Sequence, residues 1–206
     1  MKPADQKIYL ASKSPRRREL LRQIGIDFEL LLLRDKEPRG PDVSEEVLPG
    51  EKAEDYVMRV TLEKAEFAGR VLRMRRLPLR PVLTADTTVV VDGCILGKPA
   101  DKDDAMDMLR ALSGRTHQVL TSIALYHEEH SRQILQVSDV TLSTLTEEAM
   151  HAYCASSEPF DKAGGYGIQG LAAAFIERIA GSYTGIMGLP LFETAKLLQE
   201  AGIRVL

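Results

Sequence analysis

The stretch VLTADTTVVVDGCIL, residues 82–96, decides the fold class of this chain. Val82–Val91 is its most β-branched run, which predicts a buried strand. Asp92-Gly93 is a strong two-residue hairpin signal, so we expect the chain to turn back at once into a short strand at 94–96. Such a hairpin, among segments that otherwise alternate between strand and helix, predicts an α/β fold with a mixed, twisted sheet.

Toward the N-terminus, hydrophobic runs and their periodicity predict two short strands and two helices. The expected order is a strand at 8–12, a helix at 14–24, a strand at 28–33, a polar loop at 34–50 and a helix at 51–72. A loop of this length is either a functional lid or a surface insertion, and the sequence leaves both interpretations open.

Toward the C-terminus, caps and turn residues mark the remaining elements. We expect a helix capped by Asp101, long strands at 119–126 and 133–145, a helix that begins at Thr146, a glycine-rich loop at 158–170, paired strands at 173–179 and 183–187, and a helix at 190–202.

Composition restricts the class of protein. The chain has 206 residues, of which 44% are hydrophobic and 28% charged, which suits one sizeable domain. A net charge of −3 argues against a general nucleic-acid or acidic-membrane binder, so an anion site must be local. Cys94 and Cys154 form no metal-binding pair, and no signal peptide or membrane-length apolar run is present, so we expect a cytoplasmic protein.

Three arginines stand at an unusual place in LASKSPRRREL, residues 10–20. Ser14 and Pro15 are typical of a helix start, so the arginines fall in the first turn, where each cation is unfavourable by about 0.3–1 kcal/mol. A strand, a short loop and a helix N-terminus also form an anion site from backbone N–H groups. A bound polyanion such as a triphosphate would explain the arginines; the alternative is that they point to solvent and pair with Glu19 or other acids.

Three further segments carry residues suited to chemistry. Asp86 lies inside the β-branched run, where it is either an edge-strand residue bonded to amides or a general base or metal ligand. Lys98 would meet a phosphate or stay solvated. The loop at 158–170 is rich in glycine, which allows close approach to a ligand, and its Gln169 offers both donor and acceptor to a base edge. A turn without function fits the same glycines.

Four stretches together closely resemble the Maf family of nucleoside triphosphate pyrophosphatases, in order and over nearly the whole chain. They are YLASKSPRRREL (9–20), TADTTVVVDGCILGKP (84–99), LSGRTHQVLTSIAL (112–125), and EPFDKAGGYGIQG with GSYTGIMGLPL (158–170 and 181–191). Thr87 and the GIQG segment are similar to the bacterial subfamily that acts on dTTP and UTP.

The resemblance implies a single domain over 1–206, with two lobes around a deep cleft, as in the inosine triphosphate pyrophosphatases. It implies cleavage between the α and β phosphates, a Mg²⁺ or Mn²⁺ requirement and a homodimer. The matching positions make Asp86 the general base. Specificity positions would be Arg16, Thr87 and Gln169, and polar cleft positions Ser12, Arg17, Lys64, Lys98 and Asp161.

One segment departs from the family pattern. The acidic pair that family members carry after the second strand, thought to help bind metal, corresponds here to RDKEPRG (34–40), so only Glu37 fits and Lys36 replaces its neighbour. The alternative function is a nucleotide-binding regulator of septum formation without turnover, which would need the arginines but not the Asp86 carboxylate. A phosphatase or kinase using the same anion site is a weaker alternative, since no nucleophile or Walker motif is present.

Overall fold

A computed structural model of the chain describes residues 6–34 and 41–205. Within these residues the chain forms seven strands and six α-helices. The strands are β1 (Ile8–Leu10), β2 (Phe28–Leu30), β3 (Val82–Val91), β4 (Cys94–Leu96), β5 (Thr116–His127), β6 (His130–Leu142) and β7 (Ile176–Ala180). The helices are α1 (Pro15–Gln23), α2 (Ala53–Met74), α3 (Lys102–Leu112), α4 (Glu147–Cys154), α5 (Tyr183–Ile186) and α6 (Leu191–Glu200).

The seven strands form one mixed sheet in the order β2-β1-β3-β5-β6-β7, and β4 pairs with the end of β3. β1 runs parallel to β2 and β3, whereas β3, β5, β6 and β7 are joined by antiparallel ladders. Asp92 and Gly93 both have positive φ, at 50° and 76°, as the tight hairpin turn between β3 and β4 requires. The expected α/β class with a mixed sheet is confirmed.

The central strand β3 lacks a partner along part of one edge. On that edge β1 pairs with Val82 and Leu83, and β4 pairs with Val89 to Val91. Among the described strands, Thr84 to Thr88 therefore pair with β5 alone. Because a strand edge exposes unpaired N–H and C=O groups, this gap in the middle of the sheet is where polar side chains and a ligand have access to β3.

Helices cover both faces of the sheet. α2 packs on one face, with Val57 and Val60 against Val90 and Leu120. The opposite face holds two apolar clusters, one formed with α1 and α6 and the other with α3 and α4. The first cluster reaches Ala85 of β3 and the second begins at Val89, so Thr87 lies between them.

The helix starts predicted from caps are confirmed. Ser14, Asp101 and Thr146 are the N-cap residues of α1, α3 and α4, and each side chain accepts from a backbone N–H three residues later. α1 has three arginines and no acid in its first turn. The described helices include none long and apolar enough to cross a membrane.

Two of the sequence assignments are wrong. The strand expected at 28–33 ends at Leu30, and the pair expected at 173–179 and 183–187 does not form. β7 instead pairs with β6, and residues 183–186 form the short helix α5. The reason is local: the Ser182 hydroxyl accepts from the N–H of Gly185 at 3.0 Å, and this cap outweighs the β-propensity of Tyr183 and Thr184.

Candidate active site

A cleft of about 910 Å³ opens at the gap beside β3. Its lining includes nine of the ten residues that the sequence singled out: Ser12, Arg16, Arg17, Lys64, Asp86, Thr87, Lys98, Asp161 and Gln169. The tenth, Glu37, lies outside the described residues, as does Lys36. Segments that are far apart in sequence therefore meet in one cavity, and the roles of their side chains follow from their contacts.

Two carboxylates converge on one ammonium group in this cleft. Lys64 of α2 donates from Nζ to Asp86 Oδ1 at 2.7 Å, and the same Nζ lies 2.7 Å from Glu45 Oε1. Burial alone lowers the pKa of Lys64, but the charges of Asp86 and Glu45 outweigh it, so the pKa lies above its ordinary value. The lysine therefore stays charged beside the two carboxylates.

Sequence reasoning missed Glu45. In a loop there is no periodic pattern of residues from which to predict where a side chain points. The structure shows how it is held. Tyr56 of α2 donates its hydroxyl to the Glu45 carbonyl at 3.1 Å, and Arg59 donates to the Glu46 carbonyl at 2.9 Å. Arg59 also forms a two-pronged pair with Glu51, at 2.6 and 2.9 Å, so α2 clamps both ends of this loop segment.

The electrostatics of this loop agree with its contacts. Burial raises the pKa of Glu45, but Lys64, followed by Lys98 and Arg17, acts in the opposite direction and leaves the pKa below its ordinary value. Burial, together with the charges of Asp86 and Glu45, raises the pKa of Tyr56 to about 12. At neutral pH the Glu45 carboxyl is thus ionised and the Tyr56 hydroxyl retains the proton that it donates.

Arg17 is bound by the protein itself. Its guanidinium donates to the carbonyls of Gly188 and Ala85, each at 2.8 Å, to Ser12 Oγ at 3.3 Å and to Thr87 Oγ1 at 3.2 Å. The Ala85 carbonyl lies in the unpaired edge of β3, so the arginine satisfies an acceptor that a neighbouring strand would otherwise take. Burial lowers the pKa of this guanidinium. Arg17 thus ties together the loop before α1, the strand β3 and the turn after α5.

Thr87 is fixed by two neighbours. Besides the bond from Arg17, its hydroxyl lies 3.0 Å from the hydroxyl of Thr121 on β5. Since successive strand residues point to opposite faces of the sheet, Asp86 points toward α2 and Thr87 toward the face that carries α1. The two side chains therefore enter the cleft from different sides of β3.

Arg16 follows a different course from its neighbour. It reaches across the cleft to the glycine-rich loop, where Nη1 donates to Asp161 Oδ2 at 2.9 Å. Asp161 also pairs with Lys162 at 2.5 Å. Burial raises the pKa of Asp161, but the hydrogen bonds from Lys162 and Arg16 outweigh it, and the pKa lies below its ordinary value. The predicted specificity residue Arg16 thus contacts the loop that carries Gln169.

The glycine-rich loop lies close against the sheet. Gly164 donates its N–H to the Gly97 carbonyl at 2.9 Å, and a Cβ at this position, where φ is 70°, would meet Val89 Cγ2 at 2.9 Å. Below it, the Tyr166 hydroxyl bonds to buried His117 of β5 at 2.6 Å. Gln169 and Lys98 are exposed at the cleft wall.

The carboxylate pair offers oxygen ligands for a divalent cation. Mg²⁺ and Mn²⁺ prefer carboxylate, water and phosphate oxygens, and one or two protein carboxylates suffice when a substrate supplies the rest. Asp86 and Glu45 meet at a single Nζ, and both residues line the cleft. In the part of the chain that the structure describes, no group of three or more His, Cys, Asp or Glu residues forms a cage. The donor set therefore fits a metal that arrives with phosphate.

Comparisons with known proteins identify the family of this chain. A sequence model of the family described as Maf-like protein matches residues 7–201. The dTTP/UTP pyrophosphatase of Aromatoleum aromaticum is 55% identical over 203 residues, with 98% of each chain covered. That of Nitrosomonas europaea is 53% identical, also with 98% of each covered. That of Dechloromonas aromatica is 50% identical over 97% of this chain and 100% of its own.

A solved structure, the Staphylococcus aureus Ham1 protein, matches 66% of this chain and 71% of its own at 15% identity. Its TM-score of 0.44 is too low to carry an argument. The sequence match over residues 7–201, by contrast, spans every element of the sheet and every described wall of the cleft. The chain belongs to the Maf-like protein family.

Proposed function

We propose that this chain is a pyrophosphatase that hydrolyses dTTP and UTP to the nucleoside monophosphate and pyrophosphate. The observation that carries the proposal is the Asp86 carboxyl group, set in the unpaired edge of β3, bonded to Lys64 and placed with further cationic side chains in a cleft of nucleotide size. The relatives that share this sequence over nearly their full length are named for that activity.

The triphosphate would bind among the cations of the cleft. Arg16 at the start of α1 and Lys98 after β4 both line the cavity. The first turn of α1 adds backbone N–H groups, which favour anions. Such binding explains why Arg16 stands where the helix dipole disfavours it. For Arg17 the protein carbonyls that it binds already supply the explanation.

Asp86 would orient and deprotonate the attacking water. Its Oδ1 is held by Lys64, which leaves Oδ2 to accept the proton as the water oxygen bonds to phosphorus and the anhydride bond breaks. The bond from Lys64 fixes the direction of the carboxyl group. Because phosphoryl transfer depends mainly on position and charge neutralisation, an oriented water contributes more than a strong base would.

A divalent cation would be held by Glu45, with Glu37 as a further ligand predicted from the resemblance, so that Asp86 Oδ2 stays free for the attacking water. When bound, the ion supplies positive charge to the phosphate oxygens. Lys64 would remain at the rear of both carboxylates and keep their free oxygens directed into the cleft.

Base selection is assigned to Arg16, Thr87 and Gln169. The amide of Gln169 offers donors and an acceptor to a polar pyrimidine edge. Thr87 can only accept from a base, because Thr121 donates its own hydrogen to the Gly185 carbonyl and therefore takes the hydrogen of Thr87. The bond from Arg17 and the contact with Thr121 fix the Thr87 hydroxyl before a ligand arrives. A homodimer, which follows from the resemblance, and a cytoplasmic location, which follows from the composition, remain parts of the proposal.

The test is pyrophosphate release from a panel of nucleoside triphosphates, with Mg²⁺ or Mn²⁺ and with a chelator. We expect metal-dependent release that favours dTTP and UTP over dATP and GTP. Release of phosphate instead of pyrophosphate would refute the bond assigned here. Tight nucleotide binding with no release from any nucleotide would refute turnover and support the regulator of septum formation.

A further inference from the structure

The glutamate that opens the glycine-rich loop has no place in the chemistry above, yet it makes more contacts than any other side chain of that loop. Glu158 Oε2 accepts the N–H of Leu171 at 2.7 Å, and Oε1 accepts the N–H of Ala172 at 3.3 Å. Oε1 also accepts the hydroxyl of Tyr153 at 3.1 Å. One carboxylate therefore joins the first residue of the loop to the residues that directly follow Gln169 and Gly170.

Two of the loop glycines make room for this arrangement. A Cβ at Gly170 would lie 2.2 Å from Glu158 Oε2, and a Cβ at Gly167 would lie 2.7 Å from Lys162 Cε. Neither glycine has a positive φ, so backbone conformation does not explain them. The close approach of the Glu158 carboxylate does, because only a residue without a side chain leaves space for it at position 170.

A second set of bonds connects the same loop to the opposite wall of the cleft. Lys162 Nζ donates to the Glu158 carbonyl at 2.6 Å and to Asp161 Oδ1 at 2.5 Å, and Asp161 receives Arg16. Arg16 and Gln169, two of the residues assigned to base selection, are thus connected through the glycine-rich loop. Glu158 joins the two ends of that loop.

We propose that Glu158 is a positioning residue for base selection: its carboxylate holds the backbone on the C-terminal side of Gln169 and so fixes where the Gln169 amide points into the cleft. The inference rests on the proposed function, since it concerns which nucleotide that site prefers. Glu158 need not contact the substrate. Two of its three acceptor bonds hold the N–H groups of Leu171 and Ala172, just beyond Gln169 and Gly170, and the third anchors the carboxylate to Tyr153.

The experiment compares dTTP with dATP in the full chain carrying Glu158→Gln. Every partner of the Glu158 carboxylate is a hydrogen-bond donor. An amide offers one acceptor oxygen in place of two, so at least one of the three bonds to Glu158 is lost. We expect kcat/KM for dTTP to fall by about tenfold and that for dATP to change little, so that the dTTP:dATP ratio falls by about the same factor. An equal loss for both nucleotides would overturn the proposal and leave Glu158 a purely structural role.

Glu147→Gln is the matched control. Glu147 also accepts two N–H groups with its two oxygens, from Arg110 at 2.8 and 2.7 Å, but it does not line the cleft. Its replacement should leave the ratio unchanged. A fall of the ratio in this variant equal to that in Glu158→Gln would refute a specific role of Glu158.

Gly170→Ala provides a second route that keeps Glu158 in place. The added Cβ displaces the carboxylate, so this variant alone should reproduce the fall in the dTTP:dATP ratio. In a Glu158→Ala background the same change should have little further effect, because nothing remains to be displaced. Full additivity of Gly170→Ala and Glu158→Ala would overturn the proposal. This test does not depend on the Glu158→Gln variant, so it remains decisive if that variant folds poorly.

Equilibrium binding of non-hydrolysable dTTP and dATP analogues separates the inference from the proposed function. If the unmodified chain binds nucleotides but releases no pyrophosphate, the proposed function fails, and the ratio of the two dissociation constants still decides the role of Glu158. A ratio that falls in Glu158→Gln supports it, and an unchanged ratio refutes it. If the chain binds neither analogue, both proposals fail together.

Discussion

Two walls of the cleft meet at Lys64: the sheet wall, which is strand β3 with Asp86, and the loop wall, which is the segment before α2 with Glu45. They hold their carboxylates by different means. Asp86 belongs to β3, where a continuous antiparallel ladder with β5 fixes its backbone, and its side chain is only 14% exposed. Glu45 belongs to the loop before α2, and its side chain is 55% exposed. Both reach the same Nζ at 2.7 Å.

The difference shows which wall is rigid and which is adjustable. A ladder residue moves only if the sheet moves, whereas a loop held by a few side-chain bonds opens at a much smaller free-energy cost. The sheet wall, which carries Asp86, therefore suits the group that we propose orients the attacking water. The loop wall suits a group that joins a metal and a substrate as they arrive.

The sheet wall should carry the largest effect on activity. Asp86→Asn keeps the size of the side chain and removes its charge and its ability to take a proton, so kcat for pyrophosphate release should fall by about 10²- to 10⁴-fold. Nucleotide binding, measured by calorimetry, should persist. Asp92→Asn, in the hairpin turn at the end of the same strand, is the control and should retain normal kcat. Normal turnover of dTTP by the Asp86 variant would remove the general-base assignment.

Acid should weaken the contact between sheet and glycine-rich loop. Burial lowers the pKa of His117 to about 4, from 6.5, so the unfolded chain takes up a proton between these values while the folded chain does not. Stability therefore falls as pH drops from about 6.5 to 4, by about 3 kcal/mol from this group, and is unaffected by it above pH 6.5.

Urea unfolding at several pH values measures this effect. The His117→Gln variant is less stable at neutral pH but should lose less on acidification than the unmodified chain, so the gap between the two narrows toward pH 4. His151→Gln, on the surface of α4, is the control and should track the unmodified chain. A gap of constant size from pH 7 to 4 would contradict a neutral buried histidine.

The loop wall should show its role in the metal requirement. Glu45→Gln removes one charged oxygen ligand, so the Mg²⁺ concentration for half-maximal activity should rise by about tenfold. The activity at saturating metal should fall far less than in Asp86→Asn. Glu54→Gln, exposed in the first turn of α2, is the control. An unchanged metal requirement in the Glu45 variant would remove Glu45 from the metal shell.

The sequence predicted Asp86 and Arg16 because each residue type is unfavourable in its local surroundings. A carboxylate within a β-branched strand and arginines at the positive end of a helix are both unfavourable locally, and that conflict is legible in the amino-acid sequence at Asp86 and Arg16. The contact set of Arg17 could not be foreseen, since its acceptors are carbonyls brought together only by the fold.

The loops were beyond sequence reasoning for a physical reason. Glu45 reaches the cleft through Tyr56 and Arg59, which are tertiary contacts with no signature in spacing. The need for a glycine at position 170 likewise becomes clear only in three dimensions, where the Glu158 carboxylate fills the space of a side chain. The residues themselves suggested that Gln169 contacts a base edge, and the resemblance made that role specific. The role of Thr87 came from the resemblance, because a threonine in a strand is ordinary.

The smallest expected effect tests how the loop wall is supported. Arg59→Ala removes the bonds to Glu51 and to the Glu46 carbonyl, while Tyr56 still holds the Glu45 carbonyl. We expect the Mg²⁺ requirement to rise by about threefold, below the roughly 10- to 100-fold that loss of a direct partner of a metal ligand costs.

The chain contains a close match to that clamp in another place. Arg110 forms the same two-pronged pair with Glu147, between α3 and α4, and lies outside the cleft. Arg110→Ala should therefore leave the metal requirement unchanged although it breaks an ion pair of similar geometry. If the two variants shifted the requirement equally, the effect would come from general destabilisation, and Arg59 would have no specific part in placing the loop that carries Glu45.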